Sequence, residues 1–450
     1  MKILFCVEFY YPSMGGAQTV VQKVAERLVK KGHSVTVATT SIDERTVNEL
    51  NGVKIVGFNI SGNLVRGIQG ELDNYHNFLV DSKFDVILIY AAQQWTFDGA
   101  WDVLDRIQSK LLLVPCGYSG LLSHAYVDYF KKLPKILERF DACIYHARNY
   151  RDINFAEYHK LTNSVFIPNG ADLEEFNINK DDNFYIRNNI NPKSKIILTV
   201  GSRTGAKGHD ELLRAFQLIP KFSNDAFTLI LNGNIVKLYS SKDNKSFLER
   251  IKVLVFLKQF IQDHGLLYTI LHSPGMALRL MGLEKIYLKC ARRLKKNSYP
   301  EVESHPTNLE YLVEKFNSKN EVNKVILCDL DRNELIQAYL HSNIFVFASN
   351  LEYSPLVLYE SAAAGLPFIS NPVGNSDEIC SWTNAGWLID EVIENKQGYK
   401  YAIPESLARQ IVSTISDIDG MEKAKQNGKL AVERIFNWDL IADEYEKIMH

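Results

Sequence analysis

The fold is decided by the first forty residues, MKILFCVEFYYPSMGGAQTVVQKVAERLVKKGHSVTVATT (1–40). The run KILFCVEFY is apolar and rich in β-forming residues, and Gly15 and Gly16 break it. Residues 17–31 then place apolar side chains at helical spacing with charges between them, and a second β-rich run begins after Gly32. This order of strand, glycine turn, amphipathic helix and strand predicts a βαβ unit, from which parallel sheets are built.

The same alternation continues along the chain in two blocks. Short continuous apolar runs are typical of strands that helices cover on both faces, and such runs stand at 53–58, 85–90, 110–115, 141–146 and 164–168. A polar stretch follows, and strands and helices alternate again from residue 195. We therefore predict an α/β fold with two doubly wound, Rossmann-like domains. The first is 1–180, onto which a helix at 438–450 crosses back, and the second is 195–437.

A basic insertion interrupts the second domain. About 90 residues separate Gly233 from Asn323, far more than a loop between two elements requires. Between Ile235 and Pro300 the chain has 13 Lys or Arg against 4 Asp or Glu. We predict a basic helical insertion at 235–320, in which no apolar run reaches the roughly 18 residues that a membrane span needs.

The composition excludes several classes of protein. Apolar residues make up 46% of the chain and charged residues 23%, as in soluble globular proteins. The formal net charge of −2 gives no reason to expect a nucleic-acid partner. The six cysteines lack metal-ligand spacing and predict neither a zinc site nor a disulfide framework. The N-terminal run is aromatic and contains an acid, unlike a signal peptide, so we expect a cytoplasmic protein.

A carboxylate in a buried helix marks the candidate site, within SNLEYSPLVLYESAAAGLP (349–367). Ser354 is predicted to cap a helix that Gly365 ends. The helix is apolar on nearly all faces and should be buried, yet it contains Glu360. A buried ionised carboxylate needs hydrogen-bond donors, and a ligand rich in hydroxyl groups supplies them. The alternative is that Glu360 pairs with a structural arginine.

The start of the same helix predicts a phosphate site. Its first residues are Ser354, Pro355, Leu356 and Val357, and the free backbone N–H groups of a helix start bind phosphate. Glu352 stands in the loop just before them. The segment therefore combines a loop carboxylate, a phosphate-binding helix end and a hydroxyl acceptor, unless Glu352 is simply a solvated loop residue.

Cations are expected at the same place, in the segment LTVGSRTGAKGHDEL. Ser202, Arg203 and Lys207 lie among glycines at the exit of the second domain's first strand. Such a loop can bring two cations to a diphosphate, although the pattern also fits a solvated basic turn. In the first domain, Gly15 and Gly16 let the backbone approach a ligand closely from the facing wall.

In their order and spacing, these motifs resemble the retaining nucleotide-sugar glycosyltransferases of the GT-B fold, the family called group 1 or family 4. The resemblance covers nearly the whole chain. Its carriers are YYPSMGGAQTVVQKVAERLVKKGHSVTVAT, IPNGADLEEF, LTVGSRTGAKGHDELLRAF, the pair Glu352 and Glu360, GLPFIS with VGNSDEI behind it, and FNWDLIADEY. The E-x7-E pair is the motif that links them to the site.

The resemblance implies a hexosyltransferase-type enzyme that retains anomeric configuration and uses no metal and no cofactor. Its donor would be a nucleotide-diphosphate sugar and its acceptor a glycan or polyprenyl-linked glycan, in the synthesis of bacterial surface polysaccharide such as lipopolysaccharide, O-antigen or capsule. The resemblance assigns Glu352 to the donor sugar, Glu360 to the ribose hydroxyls, and Lys207 with Arg203 to the diphosphate.

Two departures concern the donor side. In the family an arginine follows the first glycine of the basic loop directly, whereas here Ser202 stands there and Arg203 comes one position later. Cys328 replaces a glycine near the expected base, so the sequence does not predict which base is bound.

A third departure concerns the acceptor side. A histidine common in the first domain of the family is replaced by Cys116. His124 and His146 are candidate substitutes, against the alternative that each is a packing or surface histidine.

Other interpretations stay open at this point. A metal-dependent glycosyltransferase needs a D-x-D ligand pair, which Asp329 and Asp331 resemble, but Asp331 directly precedes a helical pattern and is better explained as its cap. A sugar-nucleotide epimerase can share the architecture. A non-catalytic protein could bind an anionic membrane surface through 240–298. For that segment we favour peripheral attachment of the enzyme to the inner face of the cell membrane over a solvated subdomain or an oligomer contact.

Overall fold

The computed structural model describes residues 1–81, 83–234 and 306–450, which form two sheets with helices around them. The strands of the first half are β1 Lys2–Val7, β2 Ser34–Thr40, β3 Glu49–Leu50, β4 Val53–Phe58, β5 Ile60–Asn63, β6 Gly67–Gly70, β7 Val86–Tyr90, β8 Lys110–Val114, β9 Ala142–Tyr145 and β10 Ser164–Phe166. Eight of them form one sheet in the order β10-β9-β8-β7-β1-β2-β4-β3, and β5 and β6 form a separate hairpin. The eight-stranded sheet is parallel except that β3 runs antiparallel to β4.

The second sheet is parallel in all its described strands. The strands are β11 Lys195–Val200, β12 Phe227–Asn232, β13 Lys324–Cys328, β14 Ile344–Phe347, β15 Phe368–Ser370 and β16 Gly386–Leu388, followed by a hairpin of β17 Val392–Glu394 and β18 Lys400–Ala402. The sheet order is β13-β12-β11-β14-β15-β16. The order reverses between β11 and β14, which is where open α/β sheets bind their ligands.

Helices connect these strands. Their bounds are α1 Gly16–Lys30, α2 Leu72–Asp81, α3 Trp95–Asp98, α4 Val127–Leu137, α5 Arg151–Tyr158, α6 Leu173–Phe176, α7 Phe184–Arg187, α8 His209–Leu218, α9 Pro306–Asn317, α10 Arg332–His341, α11 Leu356–Ala364, α12 Ser376–Thr383, α13 Pro404–Ser416, α14 Ile418–Ala431 and α15 Trp438–Met449. None of the helices in the described part of the chain is long and apolar enough to cross a membrane.

Both sheets are covered by apolar side chains on two faces. In β1, Leu4 belongs to one buried cluster and Ile3 and Phe5 to the cluster on the opposite face. In β11, Leu198 and Ile197 are divided in the same way. Because successive side chains of a strand point to opposite faces, a strand buried on both faces reads as a continuous apolar run. The predicted fold class, two doubly wound α/β units, is confirmed.

The C-terminal helix packs on the first sheet. Helix α15 contacts α1, and Trp438, Tyr445 and Met449 join the buried cluster that contains Ile3. The chain therefore returns to its first half at its end. The predicted domain boundaries, 1–180 and 195–437, stay predictions.

The basic insertion is mostly beyond the described residues. Of the predicted segment 235–320, residues 306–320 are described, and they include α9. The membrane hypothesis for 240–298 lies entirely outside the described residues.

Candidate active site

Two loops of the second domain meet at the carboxyl edge of its sheet. They leave the parallel neighbours β11 and β14, and the backbone N–H of Asn350 in one donates to the carbonyl of Ala206 in the other at 2.8 Å. Gly208 lets them approach, because its φ is +68° and an added Cβ would lie 1.8 Å from the carbonyl oxygen of Ala348. The glycine after Lys207 is thus required by the backbone itself.

The close contact of the two loops brings together two predicted site residues, Lys207 and Glu352. The ammonium of Lys207 lies 2.5 Å from Oε1 of Glu352, and the hydroxyl of Ser349 donates to the same oxygen at 2.7 Å. The side chain of Glu352 is only 15% exposed, so it is not the solvated loop residue of the alternative interpretation. A cation and a carboxylate therefore stand together at the point where the strand order reverses.

Glu360 lies in α11 and is held by two donors. Nη1 of Arg332 lies 2.7 Å from its Oε1, and the hydroxyl of Tyr339 donates to its Oε2 at 3.3 Å. Glu360 therefore pairs with an arginine, as the alternative interpretation of the sequence predicted. A carboxylate has about four acceptor positions, so this pairing leaves capacity for further hydroxyl groups.

The helix start differs from the prediction at Ser354. The cap position is Pro355 with ψ of 114°, and no side chain caps the helix there. Ser354 is one residue too early for its hydroxyl to reach the amides of the first turn, and its carbonyl instead accepts a hydrogen bond from the amide of Asn169 at 3.2 Å. The predicted serine cap is wrong, and without it the first turn that includes Leu356 and Val357 has no side-chain acceptor. The predicted stop is confirmed, because Gly365 has φ of +67°.

The guanidinium of Arg203 contacts the end of β13 and α9, not the two carboxylates of the E-x7-E motif. Its Nη2 donates to the carbonyl of Cys328 at 2.9 Å, and Nη1 lies 3.7 Å from the carboxylate of Glu310. Among the described side chains its ion-pair partner is therefore neither carboxylate of the E-x7-E motif. The carbonyl of its neighbour Ser202 accepts from the N–H of Thr204 at 2.9 Å.

The basic loop affects one buried histidine. Burial lowers the pKa of His209 to about 4, and the charges of Arg203 and Lys207 act in the same direction. His209 is therefore neutral near neutral pH, and the positive charge of the loop resides on Arg203 and Lys207.

The first domain contacts the loop that carries Glu352. The hydroxyl of Tyr150 donates to the backbone carbonyl of Glu352 at 2.6 Å. The hydroxyl of Tyr353 accepts from the backbone N–H of His146 at 3.0 Å, and the rings of Tyr150 and Tyr353 lie 5.3 Å apart. Because Tyr150 and His146 follow β9, both domains fix the backbone of the candidate site.

The glycine pair lies at the first turn of α1. Gly15 is the cap residue and Gly16 the first helical residue, and no side chain caps this end. An added Cβ at Gly16 would meet nothing within 4 Å, whereas one at Gly15 would lie 2.6 Å from Oε1 of Gln18. In the second domain Leu356 packs against the buried cluster that includes residues of α1. The starts of α1 and α11 therefore pack against the same buried apolar cluster.

The position where the family has a histidine is a strained turn. Cys116, Gly117 and Tyr118 have φ values of 65°, 87° and 52° in succession. The N–H of Gly117 donates to Oδ2 of Asp152 at 2.9 Å. Burial raises the pKa of Asp152 to about 6, against the lowering effect of its hydrogen bonds. Burial likewise raises the pKa of Cys116 to about 12, so it carries a neutral thiol.

His146 is occupied by protein contacts. It is 1% exposed, its Nδ1 lies 2.7 Å from the carbonyl of Ile167, and its Nε2 lies 2.9 Å from the hydroxyl of Tyr90. Both ring nitrogens therefore have partners, which is the packing alternative. His124 is exposed, in a short helical turn of the first domain.

Asp331 acts as the predicted helix cap. Its Oδ1 accepts from the backbone N–H of Glu334 at 3.0 Å. In the described part of the chain no group of three or more His, Cys, Asp or Glu side chains is arranged to hold a metal ion. The absence of a metal requirement stays a prediction.

Sequence reasoning missed Tyr150, Tyr353 and Arg332. Tyr353 stands inside the E-Y-S-P segment, so its position was a usable signal. No such signal existed in the sequence for Tyr150 or Arg332, because Tyr150 is 202 residues from its partner Glu352 and Arg332 is 28 residues from Glu360.

The fold is that of the GT-B glycosyltransferases. Sucrose-phosphate synthase from Thermosynechococcus elongatus superposes with a TM-score of 0.67 at 16% identity, over 99% of this chain and 98% of that one. HepE from Anabaena, solved in complex with UDP, superposes with a TM-score of 0.63 at 14% identity, over 99% of both chains. At these identities the similarity establishes the fold alone.

The sequence itself matches a family. The model described as "Glycosyl transferases group 1" matches residues 288–431, so this part of the chain is similar to that family. An uncharacterized 42.6 kDa protein in the cps region of Klebsiella pneumoniae is 36% identical over 101 residues, 20% of this chain. The matched part spans only 27% of that relative's length.

Proposed function

We propose that the protein is a retaining, metal-independent glycosyltransferase of the hexosyltransferase type. It moves a sugar from a nucleotide-diphosphate donor to a glycan or a polyprenyl-linked glycan in the synthesis of bacterial surface polysaccharide. The family and the GT-B fold support transfer of a glycosyl group, and the partial match to a cps-region protein supports polysaccharide synthesis. The observation that carries the proposal is the pair of Lys207 and Glu352 beside the uncapped start of α11.

The chemistry follows from where charge develops. As the bond from the anomeric carbon to the diphosphate breaks, negative charge grows on the leaving phosphate and positive charge on the sugar. The ammonium of Lys207 and the first-turn amides of α11 stabilise the phosphate, in the role that a divalent ion has in other transferases. Glu352, beside Lys207, stabilises the sugar, and Glu360 accepts hydrogen bonds from the ribose hydroxyls.

The donor is expected to be a UDP-sugar or a related nucleotide sugar. HepE was crystallised with UDP and also with UDP-glucose, which supports this class of donor for a chain of the same fold. We assign Arg203 to the part of the site that binds the base and not to the diphosphate. Its guanidinium donates a hydrogen bond to the carbonyl of Cys328, and the family resemblance places the base near Cys328.

The first test is ligand binding measured by thermal unfolding. A ligand that binds only the folded state raises the melting temperature, and at a given concentration a tighter ligand raises it further. UDP-, GDP-, ADP- and dTDP-sugars are screened with the wild type, and we expect at least one to stabilise it. Lys207→Met should weaken that ligand by about 10- to 100-fold, because a charged hydrogen bond to phosphate is lost.

Lys195→Met is the matched control. Lys195 pairs with Asp225 at 2.6 Å in the same domain, so the variant also removes a paired ammonium but away from the loops of the site. The proposal fails if no nucleotide sugar stabilises the wild type, or if Lys207→Met and Lys195→Met bind the selected ligand equally well.

Turnover tests the chemistry. With the selected donor and a glycan or polyprenyl-linked glycan acceptor, Glu352→Gln should bind the donor but release nucleoside diphosphate about 100- to 1,000-fold more slowly. Proton NMR of the product reports the anomeric configuration, and EDTA should leave the rate unchanged. An inverted product or loss of activity with EDTA refutes the corresponding part of the proposal.

A further inference from the structure

Arg332 joins two carboxylates with one guanidinium. Its Nη1 lies 2.7 Å from Oε1 of Glu360. Its Nε donates to Oε2 of Glu175 at 3.1 Å, and Nη2 donates to the same oxygen. The guanidinium also lies over the ring of Phe176, 5.6 Å from the ring centre. The contacts to Glu175 and Phe176 fix the plane of the guanidinium, and this plane directs Nη1 at Glu360.

Glu175 is itself anchored to α1. Its Oε1 lies 2.5 Å from the ammonium of Lys23 in α1, and the same ammonium lies 2.6 Å from Oδ2 of Asp172. Burial acts to raise the pKa of Glu175, but Arg332 and Lys23 together lower it below its ordinary value, so the carboxylate is ionised. A continuous series of ion pairs therefore runs from Glu360 through Arg332 and Glu175 to α1, the helix that begins at the glycine pair.

Glu360 has few other restraints. It lies in a helix with apolar neighbours, and besides Arg332 its carboxylate contacts the hydroxyl of Tyr339 at 3.3 Å. That longer hydrogen bond involves Oε2, so Arg332 holds Oε1 and Tyr339 orients the second oxygen. Without the guanidinium, the carboxylate could rotate about its last bond, because terminal torsions of this type are broad.

We infer that Arg332 is a positioning residue for nucleoside binding, which sets the carboxylate of Glu360 in the orientation that receives the ribose hydroxyls. This rests on the proposed function, in which Glu360 binds the ribose. Arg332 does not touch the ligand in this scheme and acts only through Glu360. Glu175 in turn holds Arg332.

The geometry requires arginine rather than a positive charge alone. The guanidinium is a rigid planar fork with donors on two edges, whereas an ammonium is a point charge on a flexible stem. Lysine lacks this fork: even where an ammonium contacts two carboxylates, as that of Lys23 does, its flexible stem does not fix their orientation. Arg332→Lys should therefore lose the positioning effect although it keeps the charge.

The test measures how strongly the protein prefers a ribonucleotide. Dissociation constants are determined by calorimetry for UDP, ADP and GDP and for their 2′-deoxy counterparts, and the ratio of the deoxy to the ribo constant is calculated. For the base that binds, the wild type should give a ratio of about 10 or more, as expected for a lost hydrogen bond to a charged group. Glu360→Gln should lower this ratio to about 3 or less.

Arg332→Gln and Arg332→Lys should each lower the ratio in the same way. The loss should come from weaker binding of the ribonucleotide, with the deoxynucleotide constant changed by less than about twofold. The double variant Arg332→Gln/Glu360→Gln should bind no worse than Glu360→Gln, because both substitutions remove one interaction. A structural defect alone would instead weaken both nucleotides equally.

Arg187→Gln is the matched control. Arg187 also bridges two carboxylates, Asp181 at 2.7 Å and Glu334 at 2.6 Å, and its side chain is 41% exposed against 39% for Arg332. Glu334 belongs to α10, as Arg332 does. This variant should retain the ratio of the wild type.

The outcomes separate the inference from the proposed function. A wild type that binds none of the three ribonucleotides overturns the inference, and it refutes the proposed function as well only if no nucleotide sugar stabilises the folded chain in the thermal screen. A ratio near one that Glu360→Gln leaves unchanged overturns the inference together with the proposed role of Glu360 at the ribose. A high ratio that Arg332→Gln and Arg332→Lys preserve overturns the inference alone. Should Arg332→Gln fail to fold by circular dichroism, Arg332→Lys and Glu175→Gln decide, and unchanged ratios in both overturn it.

Discussion

His146 allows a test of the domain interface that needs no substrate. Burial lowers the pKa of its imidazole from 6.5 to about 4, and the hydrogen bond to the carbonyl of Ile167 only partly opposes this. Its backbone N–H and carbonyl bind Tyr353 and Asn375 of the second domain. Protonation of this histidine should therefore destabilise the folded chain where the two domains meet.

The sign and size follow from proton linkage. As the pH falls below 6.5, the unfolded chain binds a proton on this histidine before the folded chain does, so the stability is present above about pH 6.5 and is lost toward pH 4. Between about pH 7 and pH 4.5 the loss amounts to about 2 kcal/mol for one such group. Asp98 and Asp152 act in the opposite sense, because burial raises their pKa values to about 6 and the folded chain then binds protons first.

This opposition means that a variant must be compared with the wild type. We expect urea unfolding, followed by circular dichroism, to show that the wild type loses about 2 kcal/mol more than His146→Gln between about pH 7 and pH 4.5. His124→Gln, which changes an exposed side chain, is the control and should behave as the wild type does. Equal losses in His146→Gln and the wild type would refute the assignment of a buried neutral imidazole.

Two further predictions concern stability near the site. Gly208→Ala should lower the free energy of unfolding by about 3 kcal/mol, because it combines left-handed backbone strain with a Cβ 1.8 Å from a carbonyl oxygen. Gly32→Ala is the control: an added Cβ there meets nothing within 4 Å, so strain alone should lower the free energy of unfolding by about 1–2 kcal/mol. Equal losses for the two variants in urea titrations would contradict this account. Asp331→Ala should cost about 1 kcal/mol through the lost cap and leave turnover nearly unchanged; complete loss of turnover would revive Asp329 and Asp331 as a metal-binding pair.

The fold was predictable because its signals are local. A strand covered on both faces appears as an apolar run wherever it occurs, and β1 and β11 show this pattern within six residues each. Glycine stops and the cap at Asp331 are also local, since a cap and its amide lie three residues apart. The serine cap failed at the same scale, because the sequence did not show that the chain stays extended through Pro355.

The contacts of the site were predictable only in part. Lys207 and Glu352 are 145 residues apart, and the family resemblance placed both near the diphosphate and the sugar. Their direct ion pair depends on the close approach at Gly208, which a sequence does not reveal. For Arg203 the loop was located, but the direction of the guanidinium depends on packing against the end of β13.

The division of contacts at Glu352 has a consequence for domain movement. The carboxylate is held by Lys207 and Ser349 of the second domain, whereas its backbone carbonyl is held by Tyr150 of the first domain. Opening of the cleft would break the bond from Tyr150 but leave the ion pair intact, because both partners move together. The ion pair of Lys207 and Glu352 is therefore formed within one domain, while the backbone of the loop that carries Glu352 is also held by the other domain.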